Sequence, residues 1–450
     1  MKYQTEKLLT YSSAGRLLLA LLLAASFATA CGADSESATS GASDAAVQAP
    51  APGVQTTPPL SDAELAARHS EPSEYSITDS AGIQVIETAG SAWTAETAWT
   101  VDPEPLAAIG SERTGGNSLH GAGRIVGLSN GGFVVAHRRG SQLIWFNADG
   151  RLNRAAGHLG RSPGGFMILG DVLAMPGDSV LAVDPEVQRV SVFGPDGEFA
   201  RLSSIDYVDA GSPATVGVLS DGSILGMREF VFEEGMGAGL NRDSLPFVVL
   251  EPGGGYENSA SVYPTSQHWL FAFGEGFAGG ALPFGGESHV AATADGFWFG
   301  SGDTPEVTHH GADGRLRKIL RWDGEPEPLP AERIEKFKAD AMATGGRNPA
   351  ALAEMSNFLQ DLPFPETIAH LGGMIVDSDG ALWIGPYHAW TEPAGGWWTV
   401  FAADGRRLGM VEIPAGLEIR AIGTDRIYGV WTDEEGVESV RVYALHREPT

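Results

Sequence analysis

The chain has 450 residues and a single cysteine, Cys31. One thiol cannot form an internal disulfide, so stability has to come from packing. Basic residues are scarce as well: 29 Lys and Arg stand against 57 Asp and Glu, a net charge of −28. A field of that sign repels nucleic acid and anionic lipid headgroups and is compatible with cationic partners or divalent ions. A solubilising acidic surface is the plainer use of the same charge. The common catalytic signatures are also missing. There is no G-x-S-x-G, H-E-x-x-H or C-x-x-C and no D-x-D-x-D-G calcium loop. The glycine runs around 273–286 and 345–346 lack the Lys-Ser/Thr that would make a phosphate loop, and read as flexible loop.

What is present begins with the leader. Lys2, Lys7 and Arg16 form a basic n-region ahead of "LLLALLLAASFATA" (17–30), an apolar stretch too short to span a bilayer with ease. This is an export signal. Ala28 and Ala30 then lead directly to Cys31. That arrangement resembles the lipobox of bacterial lipoproteins, whose cysteine takes the lipid and becomes the mature N-terminus. Ala28 stands where Leu is commoner, and ordinary signal cleavage to a plain secreted protein stays open. The resemblance implies a protein lipid-anchored at Cys31 in the bacterial cell envelope, periplasmic or on the outer surface. Such a mature chain has no thiol left for zinc or for nucleophilic catalysis. Residues 31–73 are rich in Ala, Ser and Pro and cannot bury enough surface to offset their ordering entropy, so they read as a disordered tether. A short helix at 61–68 is compatible with Ser61 as its cap and Glu64 three residues on.

From residue 74 onward the chain repeats itself. "GLSNGGFVV" (127–135), "MPGDSVLAV" (175–183), "VLSDGSILG" (218–226), "ATADGFWFG" (292–300) and "DSDGALWIGP" (377–386) share a turn followed by a short apolar strand, and "AIGTDRIYGV" (421–430) is a weaker sixth. The turns recur every 45 or 46 residues, except for two intervals lengthened by insertions. That period fits a four-stranded propeller blade. Each unit has a second turn downstream, as in "FNADG" (146–150), "FGPDG" (193–197), "LEPGG" (250–254), "HGADG" (310–314) and "FAADG" (401–405). Asp-Gly predicts type I′ turns, whose twist suits hairpins. Two hairpins per unit give four strands, and six such sheets set radially bury both faces of each. The expected fold is therefore an all-β six-bladed β-propeller. To close the ring, one of the alternating segments at 82–90 and 98–103 is expected to complete the last blade beside "SVRVYAL" (439–445).

Residues 79–446 resemble the six-bladed propellers of the NHL-like and TolB-like group, commonly found as bacterial exported proteins of unassigned function. "GHLGRSPGGF" (157–166) is similar to the G-x-x-G-x-x-P-G-x-F stretch that joins NHL blades, although Gly165 stands where an acidic or amide residue is usual. "DGALW" resembles the same group's turn and strand. Related propellers resemble lactonases and lyases that hold a divalent ion in the central channel with His and Glu side chains. The resemblance thus implies a fold and leaves the chemistry open.

Topology directs the search for a site. Both sets of turns belong to one face, while the insertions at 226–246, 255–287, 322–371 and 385–397 belong to the other. The longest carries helical signals over about 324–369, between the fourth and fifth blades: Ile334, Phe337 and Met342 in one stripe, Leu352, Met355 and Leu359 in a second. It is expected to cap the channel mouth, as a structural plug or as a gate. His120, Arg124, His137, Arg138, Arg139, Arg228, Glu287, His289, His370, His388 and Trp390 converge on this face. The candidate ligand-binding residues are Arg124, Glu287, His289 and His370, then His120, Arg228, His388 and Trp390. Arg124 and His289 each lie six residues before their turn, hence at one level of the innermost strands. Imidazoles with a carboxylate would suit a divalent cation, and an arginine among them a carboxylate or phosphate. The expectation is a binding protein for a small molecule, peptide or protein, with a propeller enzyme as the alternative. His309-His310 reads as structural, because neighbours on a strand point to opposite faces.

Overall fold

The computed structural model describes residues 73–447 apart from 95, 111–118, 120–121, 206–212, 229–236, 254, 274–275, 345–348 and 434–435. The signal segment, Cys31, the tether and His120 lie outside these residues. The described chain is mostly β and folds as a β-propeller. Its unit is an antiparallel four-stranded meander, seen first in Ala122–Gly127, Phe133–His137, Gln142–Phe146 and Leu152–Ala156. The second sheet is Asp171–Ala174, Val180–Asp184, Arg189–Phe193 and Phe199–Ser204; the third is Ala214–Val218, Ile224–Met227, Ser244–Leu250 and Tyr256–Pro264. His289–Ala292, Gly296–Gly300, Glu306–Gly311 and Leu316–Trp322 make the fourth, and Gly373–Val376, Leu382–Gly385, Gly396–Phe401 and Arg407–Ile413 the fifth. Leu417–Ile422, Arg426–Thr432 and Glu438–His446 form the last, joined on its outer side by Ala107–Ile109 and by Thr100–Val101.

The downstream Asp-Gly turns, at Gly150, Gly197, Gly314 and Gly405, are not type I′. In "FNADG" the Gly150 N–H donates to the Asn147 carbonyl, Gly150 has φ +77°, and Asp149 is not among the residues with positive φ. This is a type I turn followed by a left-handed glycine, the three-residue hairpin loop with a G1 bulge. The aspartate acts through its side chain instead. Its Oδ1 accepts the N–H of Arg151 at 3.0 Å, and Asp196, Asp313 and Asp404 do the same two residues on.

Apolar clusters lie between consecutive sheets. Trp145, Phe166 and Phe193 fill the gap between the first and second, and Phe133, Phe146, Tyr428 and Val442 that between the last and the first. Phe166 belongs to the blade-joining stretch, which Arg189 fastens by donating to the carbonyls of Arg161 and Gly165. A Cβ on Gly165 would sit 2.7 Å from His158 Nε2 and 2.8 Å from the Gly160 carbonyl, so no larger residue fits this version of the motif. His310 is buried and stacks on Phe297, while His309 faces Trp298 on the other side of the sheet, the structural arrangement expected of the pair.

The two N-terminal segments divide between two sheets, and one expected insertion proves to be partly strand. Ile83–Ala89 pairs in parallel with Leu316–Trp322, the outer strand of the fourth sheet, and Glu74–Ser80 folds back on it. Only Thr100–Val101, from the second candidate segment, reaches the last sheet. Tyr256–Pro264 is the fourth strand of the third sheet and not insertion. The next stretch of chain is a hairpin, His268–Phe273 with Gly276–Ala281, joined by Gly239–Asn241 into a small side sheet. The long insertion forms two helices, α1 (Ala331–Thr344) and α2 (Pro349–Asp361). Their apolar faces bury Phe337, Ala341, Met355, Phe358 and Leu359 against Leu282, Phe284, Tyr387 and Ala389. No helix among the described residues is long and apolar enough to cross a membrane.

Candidate functional site

A cavity of about 1320 Å³ runs between the first strands of the sheets. Its wall includes Arg124, Asp171, Thr215, His289, Ile375 and Arg420, one from each first strand, together with Arg138, Arg228, Ser266, His268 and Glu287 from the insertion-bearing side. Ser129, Asp178, Asp379 and Thr424 line the opposite end, so the cavity reaches from one face to the other. The side sheet flanks its mouth through His268, Gly279, Gly280 and Ala281, whereas none of the described residues of α1 or α2 lines it. The helices therefore sit beside the channel. Their hydrophobic face is drawn to Phe284 and Tyr387, which lie outward from it.

The sequence brings several of these groups to one level. Six residues before the turn residues Asn130, Asp221 and Asp295 stand Arg124, Thr215 and His289. The first strands that carry Arg124, Thr215 and Arg420 each contain a bulge, at 122–125, 215–217 and 419–421. Bulges re-aim side chains, here into the channel. Arg124 spans to the two following sheets: Nε lies 3.1 Å from Asp171 Oδ1, Nη1 donates to the Val216 carbonyl at 2.9 Å and Nη2 to that of Thr215 at 3.4 Å. Thr215 Oγ1 in turn donates to Asp171 Oδ2 at 3.2 Å. Asp171 and Thr215 were not singled out from the sequence, although the six-residue spacing reaches Thr215 once it is applied to Asp221.

Glu287 and His289 are the unusual pair. Burial in the wall pushes the Glu287 carboxyl up to about 7 and the His289 imidazole down to about 4. Just below neutrality both are therefore largely uncharged, one an acid and the other a base. His289 Nε2 is buried without a hydrogen-bond partner, and Glu287 Oε2 stands 3.9 Å from it, beyond hydrogen-bond reach.

The other sequence candidates divide. Arg228 lines the channel. His370 does not: its backbone N–H donates to the Gly302 carbonyl, and burial lowers its pKa against the pull of Asp303. His388 is turned to the Gly395 carbonyl at 3.0 Å, and Trp390 packs edge-on to Phe337 of α1. Trp390 thus supports the helical insertion, and His388 its own loop. Among the described residues no three His, Cys, Asp or Glu side chains converge to hold a metal. Glu287 and His289 offer two donors, one short of the three protein ligands usual at a catalytic zinc.

No family model and no curated protein matches the chain. Among solved structures, a Bacteroides fragilis protein named as exported is 12% identical over 81% of this chain and 100% of its own, with a TM-score of 0.44. A DUF4221 family member from Bacteroides vulgatus is 12% identical, covering 78% and 99%, with a TM-score of 0.43. A gluconolactonase from Xanthomonas campestris is 13% identical, covering 72% and 86%, with a TM-score of 0.33. None of them transfers an activity or a residue role to this chain.

Proposed function

We propose that the chain is an exported, lipid-anchored, six-bladed propeller that binds a small molecule in its central channel from the insertion-bearing side. The blade count and ring closure rest on six sheets of one order, with apolar contact between the last and the first. The observation that carries the binding role is the Glu287–His289 pair: two ionisable groups lining a roomy cavity, with His289 Nε2 buried and left without a hydrogen-bond partner. A screen of sugars, amino acids and organic acids by thermal shift tests it. At least one compound should raise Tm in wild type and lose its effect in His289→Ala. A panel without such a compound overturns the reading.

The same pair supports the enzyme as second reading, since a neutral acid beside a neutral base is suited to moving a proton. A divalent ion that co-purifies stoichiometrically and is lost in Glu287→Gln would favour it.

A further inference from the structure

Arginines cluster in part of the channel wall, although the lining as a whole holds more carboxylates than arginines. Arg124, Arg138 and Arg420 all line the cavity, in a chain of net charge −28. Arg124 is committed to Asp171, and Arg420 Nη2 donates to Glu418 Oε2 at 2.9 Å. Arg138 has neither a side-chain hydrogen bond nor an ion pair to any described residue, and its Nε is buried without a partner. It stands at the end of Phe133–His137, opening a single 3-10 turn on the insertion-bearing side. The absence of a side chain at Gly123 admits it, for a Cβ there would lie 3.0 Å from Arg138 Nε. Burial lowers the Arg138 pKa, Asp171 opposes that, and the nearby charges of Arg420 and Arg124 lower it further.

We propose that Arg138, with Arg124 and Arg420 beside it, forms an oxyanion site in the channel wall that takes the carboxylate or phosphate group of a small ligand. Of the three guanidiniums, Arg124 is paired with Asp171 and Arg420 with Glu418, while Arg138 keeps a buried Nε without a partner. A half-buried guanidinium with free donors is unfavourable by itself and becomes favourable when an oxyanion accepts two of its N–H groups. This inference rests on the channel being a binding site and names the ligand's chemistry.

The test uses acetate and inorganic phosphate as probes, each titrated at constant ionic strength against chloride, with Tm as readout. Wild type should gain Tm with one or both, and whichever acts identifies the oxyanion. In Arg138→Gln the response should need about tenfold more probe or vanish, as expected for loss of a charge-assisted pair. The same variant should match or exceed wild-type Tm in chloride, because an unpaired charge beside two like charges has been removed. Arg201→Gln, on the outer strand Phe199–Ser204, should respond as wild type does. No shift beyond that of chloride, an unchanged response in Arg138→Gln, or a lower Tm of that variant in chloride would each overturn the site. Neutral compounds that still stabilise the protein through His289 would then leave the binding role intact without the anion.

Discussion

Glu287 and His289 titrate in opposite senses, which makes their contributions separable. The folded pKa of Glu287, about 7, lies above the ordinary carboxylate value, so the native state holds a proton that the unfolded chain has released. Its contribution is present at low pH and is lost as pH rises from about 4.5 to about 7. His289, at about 4 in the folded state, does the reverse: its contribution is present above about 6.5 and is lost as pH falls toward 4. In wild type the two slopes largely cancel. Glu287→Gln should therefore make Tm rise more steeply from pH 4 to 6.5 than wild type does. His289→Gln should make it fall from pH 4.5 to 7. The slope each reveals is at most about 1.4 kcal/mol per pH unit, less where channel water reaches the groups. Melting curves at half-unit intervals check this, and parallel curves for all three proteins would contradict it. At this scale the sequence was legible only through the spacing. Arg124 and His289 share a distance to their turns, so their common level could be read. Asp171 precedes a turn of different shape, Pro176–Asp178, and Arg138 lies on a second strand's end, where no repeat distance marks it.

Strands and turns were the most legible elements, because turn-forming Gly, Asp and Asn recur at fixed positions between short apolar strands. Helix α1 and helix α2 were legible from their apolar stripes, but their docking place was not. That place depends on Phe284 and Tyr387, which are 103 residues apart and joined by a hydrogen bond from the Phe284 N–H to the Tyr387 hydroxyl. Arg333 of α1 adds a two-pronged contact, Nε to Glu392 Oε1 at 2.7 Å and Nη2 to Glu392 Oε2 at 2.8 Å. Burial alone would raise the Glu392 pKa; hydrogen bonds from Arg333 and from the Ala389 N–H outweigh it and hold the carboxyl below its usual range. The latch should thus hold at neutral pH and weaken as acid protonates Glu392. A double-mutant cycle with Arg333→Gln and Glu392→Gln should give a coupling of about 1–3 kcal/mol at pH 7, as for other bidentate, partly buried pairs. A coupling near zero would mean that α1 is held by its apolar face alone. Because no described helix residue lines the channel, either single variant should leave channel binding unchanged.

For the whole molecule, the N-terminal region has two separate roles. If Cys31 carries the lipid, as proposed, Cys31→Ser should move the protein from the membrane to the soluble fraction. Fractionation identical to wild type would remove the anchor. Residues 74–109 belong to the fold, since they extend two sheets that are far apart in sequence. Ile86 is fully buried against the fourth and fifth sheets, and Tyr75 donates its hydroxyl hydrogen to the Asp404 carbonyl. Thr100–Val101 and Ala107–Ile109 cover the outer side of Glu438–His446. Deleting 32–70 should leave Tm unchanged within error. Deleting 82–104 should lower it by many degrees or cause aggregation, because Leu316–Trp322 loses its outer neighbour and the C-terminal end of Glu438–His446 loses Thr100–Val101. Equal melting temperatures would show that the N-terminal strands only decorate the ring. The proposed closure would then rest on the packing of Leu417–Ile422 and Arg426–Thr432 against Ala122–Gly127.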